Sequence, residues 1–213
     1  SSSSSGSGKT IIFNNTFLPT AANVTSATIS SSSSKKLVFA NNTITGGGTG
    51  ISTGSNTIIV GNKIVGCGST AIYMGQALLS KIFVFSNQFL QCTGYAILGD
   101  FYKDNPSTFG LDSLVVIGNI FTGISKHALY FIGNKWDGSY LNFKFVKIYN
   151  NVFFDNQQYA AAHERYFTAT TLFEVRNNIF SNNTGGVVSL PGLVADYNCL
   201  YANGNNTITG LGN

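Results

Sequence analysis

The sequence predicts an all-β fold: a single-stranded right-handed parallel β-helix, a solenoid of about eight coils with an asparagine ladder. Three observations predict it. One short motif centred on an asparagine recurs eight times along the chain. Apolar residues alternate with variable ones around each copy. A second apolar strand follows at a constant offset.

The motif copies occupy residues 11–17, 38–44, 58–64, 83–89, 115–121, 147–153, 174–180 and 194–200. They align on Asn15, Asn42, Asn62, Asn87, Asn119, Asn151, Asn178 and Asn198, at spacings of 27, 20, 25, 32, 32, 27 and 20. Two residues after the asparagine stand Phe17, Ile44, Ile64, Phe89, Phe121, Phe153, Phe180 and Leu200. Three residues before it stand Ile12, Phe39, Ile59, Val84, Val116, Ile148, Val175 and Ala195. Every one is apolar. The positions two and four before the asparagine vary freely and include Lys147, Glu174, Arg176 and Asp196. Alternation of this kind marks a strand with one buried face.

The asparagine is expected at the bend, because Asn tolerates the left-handed region better than other non-glycine residues. Coils stacked about 4.8 Å apart would let the side-chain amides hydrogen-bond along the axis. Nine residues after the asparagine come Ala71, Ala96, Ala128 and Ala160, each followed by Ile72, Ile97, Leu129 or Ala161. Val187-Val188 and Gly50-Ile51 fit roughly the same place. Each coil is therefore strand, bend, short strand, short turn, Ala-Ile strand and a loop of variable length. Three short strands per coil define a triangular solenoid. No helical periodicity competes with this pattern.

The first eight residues form a Ser/Gly-rich leader, and residues 9–213 form one β-helix domain or a piece of a longer one. No amphipathic helix caps either end of the repeat. Uncapped ends imply either a fragment or coverage by other subunits, and head-to-tail stacking would give a non-closing contact and hence a filament.

Composition narrows the function. Charged residues make up only 9% of the chain, with Ser, Thr, Asn and Gly filling the polar quota. That surface suits an extracellular or cell-surface protein. The net charge of +4 is spread out, and the one basic pair, Lys35-Lys36, sits beside a serine run, so nucleic-acid binding is not implied. No apolar run reaches the length of a membrane span. The first residues carry no basic start and no apolar h-region of a signal peptide.

The Asn-bend motif, coils of 20 to 32 residues and endings such as Asp196-Tyr197-Asn198-Cys199-Leu200 resemble the right-handed parallel β-helix superfamily of the pectate-lyase type. The resemblance runs from about Lys9 to Asn206. It implies the fold. It does not select among the lyases, hydrolases, epimerases, tailspikes, adhesins and non-enzymatic surface proteins of that superfamily.

Candidate chemistry clusters in the middle coils. Fourteen of the 20 charged residues, both histidines and the only tryptophan lie between Asp100 and Arg176. Long insertions are expected after the Ala-Ile strands, at residues 99–106, 133–140 and 163–166. In lyases of the resembled type the groove follows this strand and its loops. β-Elimination needs a cation or metal on the uronate carboxylate and a base for the α-proton. Lys126, His127, His163 and Arg165 are the candidates. Tyr102, Trp136, Tyr140 and Tyr166 are candidate carbohydrate-stacking residues. No catalytic motif of the family can be placed residue by residue. Structural readings compete: His127 capping a turn, the triplet His163-Glu164-Arg165 as a solvated loop or a contact with a neighbouring molecule, Trp136 as a loop anchor.

No cofactor is implied. Asp100, Asp104 and Glu164 are calcium-type donors, but the calcium-loop spacing is missing. Cys67 and Cys92, each five residues after an aligned asparagine, stack either as two thiols or as a disulfide; Cys199 has no partner in this register. Asn14, Asn23, Asn41, Asn182 and Asn205 begin Asn-x-Ser/Thr sequons and are glycosylation candidates, with Asn23 and Asn205 placed in loops. Two functional readings stand side by side. One is a structural or adhesive surface protein, self-associating head to tail. The other is a polysaccharide-active enzyme, or a carbohydrate-binding module, using the edge of residues 100–176.

Overall fold

The structure, a computed structural model, describes residues 9–18, 27–31, 36–53, 56–75, 78–100, 110–132, 145–164, 172–190 and 192–209. These residues form a right-handed parallel β-helix of eight coils, with three eight-stranded sheets and no helix. The first sheet contains Lys9–Phe13, Lys36–Ala40, Thr57–Val60, Leu78–Phe85, Gly110–Ile117, Phe145–Tyr149, Leu172–Arg176 and Leu193–Asp196. The second contains Thr16–Phe17, Thr43–Thr45, Lys63–Val65, Gln88–Leu90, Ile120–Thr122, Val152–Phe154, Ile179–Ser181 and Cys199–Tyr201. The third contains Ala27–Ser31, Thr49–Thr53, Thr70–Gly75, Tyr95–Asp100, Leu129–Ile132, Tyr159–Glu164, Gly186–Ser189 and Ile208–Thr209. Each strand pairs in parallel with the equivalent strand one coil away.

The predicted inward rows form the core. Phe39, Ile59, Val84, Val116, Ile148 and Val175 are buried on the first sheet, and Ile44, Ile64, Phe89, Phe121, Phe153 and Phe180 on the second. Phe89, Phe121, Phe153 and Phe180 stack ring on ring, with centroids 4.9, 4.7 and 4.9 Å apart and planes within 8° of parallel. Each such side chain contributes about 1.5–3 kcal/mol by leaving water. The Ala-Ile strands supply the third wall: Ile51, Ile72, Ile97, Leu129, Ala161 and Val188 are in register.

The ladder is present in all eight coils. Each asparagine donates from Nδ2 to Oδ1 of the next: Asn15 to Asn42 at 3.3 Å, Asn42 to Asn62 at 3.2 Å, Asn62 to Asn87 at 2.9 Å, and at 3.0 Å from Asn87 through Asn119, Asn151 and Asn178 to Asn198. Each Oδ1 also accepts the backbone N–H of the asparagine before it, at 2.8 to 3.0 Å. Nδ2 further reaches main-chain carbonyls, as Asn119 does to Val84 at 2.9 Å and Ile117 at 3.1 Å. The buried amides are thereby satisfied, as a dry core requires.

One expectation is corrected. The left-handed residue of the bend is not the ladder asparagine but the residue before it: Asn14, Asn41, Gly61, Ser86, Gly118, Asn150, Asn177 and Tyr197 all have positive φ. The ladder asparagine keeps ordinary backbone geometry, which aims its side chain into the core. At Gly61 a Cβ would come within 2.3 Å of the Asn41 Oδ1, so that corner needs a glycine or a shift of its neighbour.

A second corner follows five residues after the first, with Gly46, Gly66, Gln91, Gly123, Asp155, Asn182 and Ala202 at positive φ. The next position holds Cys67, Cys92 and Ile124, and then a second, shorter ladder. Asn156 donates to Asn183 at 2.7 Å, and Asn183 to Asn203 at 2.8 Å. Its open end is closed by the Ile124 backbone N–H, 3.0 Å from the Asn156 Oδ1. A further correction concerns the loops expected from 99 and 163. Gly99-Asp100 and His163-Glu164 belong to strands, paired with Met74-Gly75 and Phe131-Ile132. Ladder bonding to the neighbouring coil holds these residues in the sheet. The leader 1–8 lies outside the described residues.

Candidate functional site: the outer face of the third sheet

Side chains that point away from the core on the third sheet fall into rows running along the axis. Tyr73, Leu98, Tyr130, Ala162 and Ser189 form one row by strand register. Gly75, Asp100, Ile132 and Glu164 form the next. At the strand entrances stand Tyr95, His127 and Tyr159, eight residues after Asn87, Asn119 and Asn151.

These side chains interact. The Tyr95 and Tyr130 rings are parallel within 3° with centroids 5.1 Å apart. His127 stacks on Tyr130 at 4.6 Å and lies 6.2 Å from Tyr95 and 6.0 Å from Tyr159. Lys126 Nζ sits 4.9 Å above the Tyr95 ring, a cation–π contact. The Tyr95 and Tyr130 rings, stacked between coils, are each half-buried. The Tyr73 hydroxyl donates to Asp100 Oδ2 at 3.1 Å, and the Tyr130 hydroxyl to Glu164 Oε2 at 2.8 Å. The Tyr73 ring lies over Gly75, where a Cβ would come within 2.6 Å of Cε1.

Electrostatics follow from burial and these pairs. Burial, then the Asp100 charge, pushes the Tyr73 phenol up to about 12. Tyr130 is raised by burial and by its bond to Glu164. Tyr95 is raised by burial and by the Glu164 charge. Burial lowers His127, the nearby Tyr159 backbone opposes this, and the Lys126 charge adds to the lowering. These effects favour the neutral imidazole. Its Nδ1 is buried and has no hydrogen-bond partner among the described residues.

The structure brings Lys126 and His127 together at one strand entrance. His163 stands elsewhere: it is half-buried and continues the inward row of Met74, Gly99 and Phe131. Burial lowers its pKa as well. Arg165, Tyr102, Trp136, Tyr140, Tyr166, Asp104 and Asn23 lie outside the described residues. Asn14, Asn41 and Asn182 are exposed corner residues with left-handed backbone, and Asn205 is exposed beside Thr207, whose N–H bonds its Oδ1 at 2.9 Å. Among the described residues no three His, Cys, Asp or Glu side chains converge to hold a metal ion. No helix among them is long and apolar enough to cross a membrane. Cys67, Cys92 and Cys199 are free thiols. The hydrogen bond with Cys92, and then burial, raises the Cys67 thiol.

The tyrosines at 73, 95, 130 and 159 are missing from the sequence-level candidates. Their signal is positional: Tyr95 and Tyr159 fall eight residues after an aligned asparagine, and Tyr73 and Tyr130 eleven after. The pattern emerges only once the copies are aligned beyond the Ala-Ile pair.

The first sheet presents a different outer face. Val38, Ile58, Phe83 and Val115 form an apolar row that turns charged at Lys147 and Glu174. There Lys147 pairs with Glu174 at 3.7 Å, Arg176 with Glu174 at 3.9 Å and with Asp196 at 3.6 Å, and the Tyr149 hydroxyl bonds Glu174. Among these four side chains two positive charges face two negative ones.

Fold and surface together define a right-handed parallel β-helix with a tyrosine- and carboxylate-lined face. No protein-family model matches the chain, and no curated protein or solved structure matches it.

Proposed function

We propose that this chain is an extracellular, adhesive β-helix surface protein whose third-sheet face binds carbohydrate. One observation carries the reading. Tyr73, Tyr95, His127, Tyr130, Tyr159, Asp100 and Glu164 line that face across four adjacent coils. Hydroxyl–carboxylate pairs offer donors and acceptors to sugar hydroxyls, while the rings and Leu98 accept the apolar C–H surface of a sugar. The same reading includes export to the cell surface and membership of the pectate-lyase-type superfamily. It is supported by the low charge and by the Asn-bend repeat.

Retention on insoluble polysaccharides tests it. The wild-type chain should be held, and a Tyr95→Ala/Tyr130→Ala variant should be released at least about tenfold more readily, the scale of one lost anchor. A chain that no polysaccharide retains would sink the reading. Release of reducing ends, or of an ultraviolet-absorbing unsaturated product, would replace binding by cleavage.

A further inference from the structure

The third-sheet face contains a translational repeat that its sequence spacing conceals. The Tyr73 hydroxyl reaches forward one coil to Asp100 at 3.1 Å. The Tyr130 hydroxyl does the same to Glu164 at 2.8 Å. Tyr73 and Tyr130 occupy the same register position two coils apart, with Leu98 between them. Asp100 and Glu164 likewise stand two coils apart, with Ile132 between them. The face therefore alternates along the axis: a tyrosine–carboxylate pair, a Leu–Ile apolar step, then a second tyrosine–carboxylate pair. Backbone ladders fix the period at roughly twice 4.8 Å. That matches the length of one disaccharide unit in an extended β-1,4-linked chain.

Resting on the carbohydrate reading above, we propose that this face takes an uncharged, extended β-1,4-linked glycan lying parallel to the solenoid axis, with one disaccharide spanning two coils. In an extended β-1,4 chain successive sugars alternate in facing, so equivalent hydroxyls recur once per disaccharide. Each Tyr–carboxylate pair meets one such set, and Leu98 and Ile132 meet the intervening C–H surface. Asp100 and Glu164 accept hydrogen bonds from hydroxyls and repel carboxylates, so the face selects against polyuronates. Lys126 is the one cation beside it among the described residues, and it is drawn over the Tyr95 ring. An α-1,4-linked glucan curls and cannot follow a straight axial row.

Calorimetric titration of the full chain separates the outcomes. The probes are cellohexaose and chitohexaose, their disaccharides, maltohexaose and a hexameric oligogalacturonide. At least one β-1,4 hexamer should bind at least tenfold tighter than its disaccharide, and tenfold tighter than the other two hexamers. Asp100→Asn and Glu164→Gln should each weaken that hexamer by roughly tenfold or more, the worth of a hydrogen bond to a charged group. Both should leave disaccharide binding within a few-fold, because one pair remains. Circular dichroism and melting temperature confirm that these isosteric surface variants are folded. Equal affinity for hexamer and disaccharide, tighter binding of the oligogalacturonide, or loss in only one of the two variants overturns the axial arrangement. If that happens while Tyr95→Ala/Tyr130→Ala still abolishes retention on polysaccharide, the face binds sugar in another way. If no carbohydrate binds at all, the functional reading falls and this inference with it.

Discussion

The two corners of the coil solve one problem in different ways. At the first, all eight coils carry an asparagine, and the amides run unbroken from Asn15 to Asn198. At the second, the same structural position holds Cys67, Cys92 and Ile124 in the middle coils, and Asn156, Asn183 and Asn203 beyond them. The backbone bends equally well in both cases, because a left-handed residue precedes the position each time. The asparagine is therefore not what makes the corner. It is what the core can tolerate there: either a polar row in which each amide has its neighbour, or an apolar row. A buried polar network is stable when complete and costly when interrupted.

Breaking the long ladder should have the largest effect. Asn119→Ala removes the acceptor for Asn87 N–H and Nδ2 and the donor to Val84, Ile117 and Asn151. Several buried groups lose partners at about 1–3 kcal/mol each, so a loss of about 3–5 kcal/mol is expected in urea denaturation. A loss below about 1 kcal/mol would show that the ladder is ornamental. Asn156→Ala comes next, at roughly 2–3 kcal/mol, because it sits at the ladder's open end and strands fewer groups, chiefly the Ile124 N–H and the Asn183 amide.

Ile124→Asn sharpens the contrast. It would extend the second ladder by one coil, trading about 1.5–3 kcal/mol of apolar burial against two or three hydrogen bonds of about 1 kcal/mol each. The expected net change is within about 1 kcal/mol. A much larger loss would mean that the boundary at Ile124 is fixed by packing against Cys92. The smallest effect is electrostatic. Burial lowers both His127 and His163 from the ordinary value of 6.5. The unfolded chain therefore binds protons first as pH falls, so stability is full above about pH 6.5 and declines below it toward the folded values. The melting temperature should drop between pH 7 and pH 5, by less in a His127→Asn/His163→Asn variant. An identical drop in that variant would exclude the histidines.

Much of the fold was legible because the repeat is read by two simple rules, period-2 alternation and a fixed asparagine. Phe89, Phe121 and Phe153 could be placed in one stack from spacing alone. Which residue of the pair makes the bend is not legible, since Asn14, Asn41, Asn150 and Asn177 put an asparagine at both positions. Only backbone geometry separates them. The second ladder was hidden by Cys67, Cys92 and Ile124, which break the asparagine pattern without breaking the corner. At the candidate site, charge and histidine content drew attention to Lys126 and His127, which do meet. It also drew attention to His163, which the strand register places in the inward row with Phe131. The tyrosines are not legible one at a time, because no single one carries a signal; their meaning is in the register.

The sequence by itself determined the coil: which residues face inward, where the chain repeats, and how many turns the solenoid has. Those properties are set by local alternation and by burial, which act on each copy independently. Only the tertiary structure decided which side chains from different coils become neighbours. Coil lengths of 20 to 32 residues scramble the sequence distance between positions that stacking holds one rung apart. Tyr73 meets Asp100 and Tyr130 meets Glu164 across gaps of 27 and 34 residues, because the backbone ladder, not the chain's numbering, sets the distance between them.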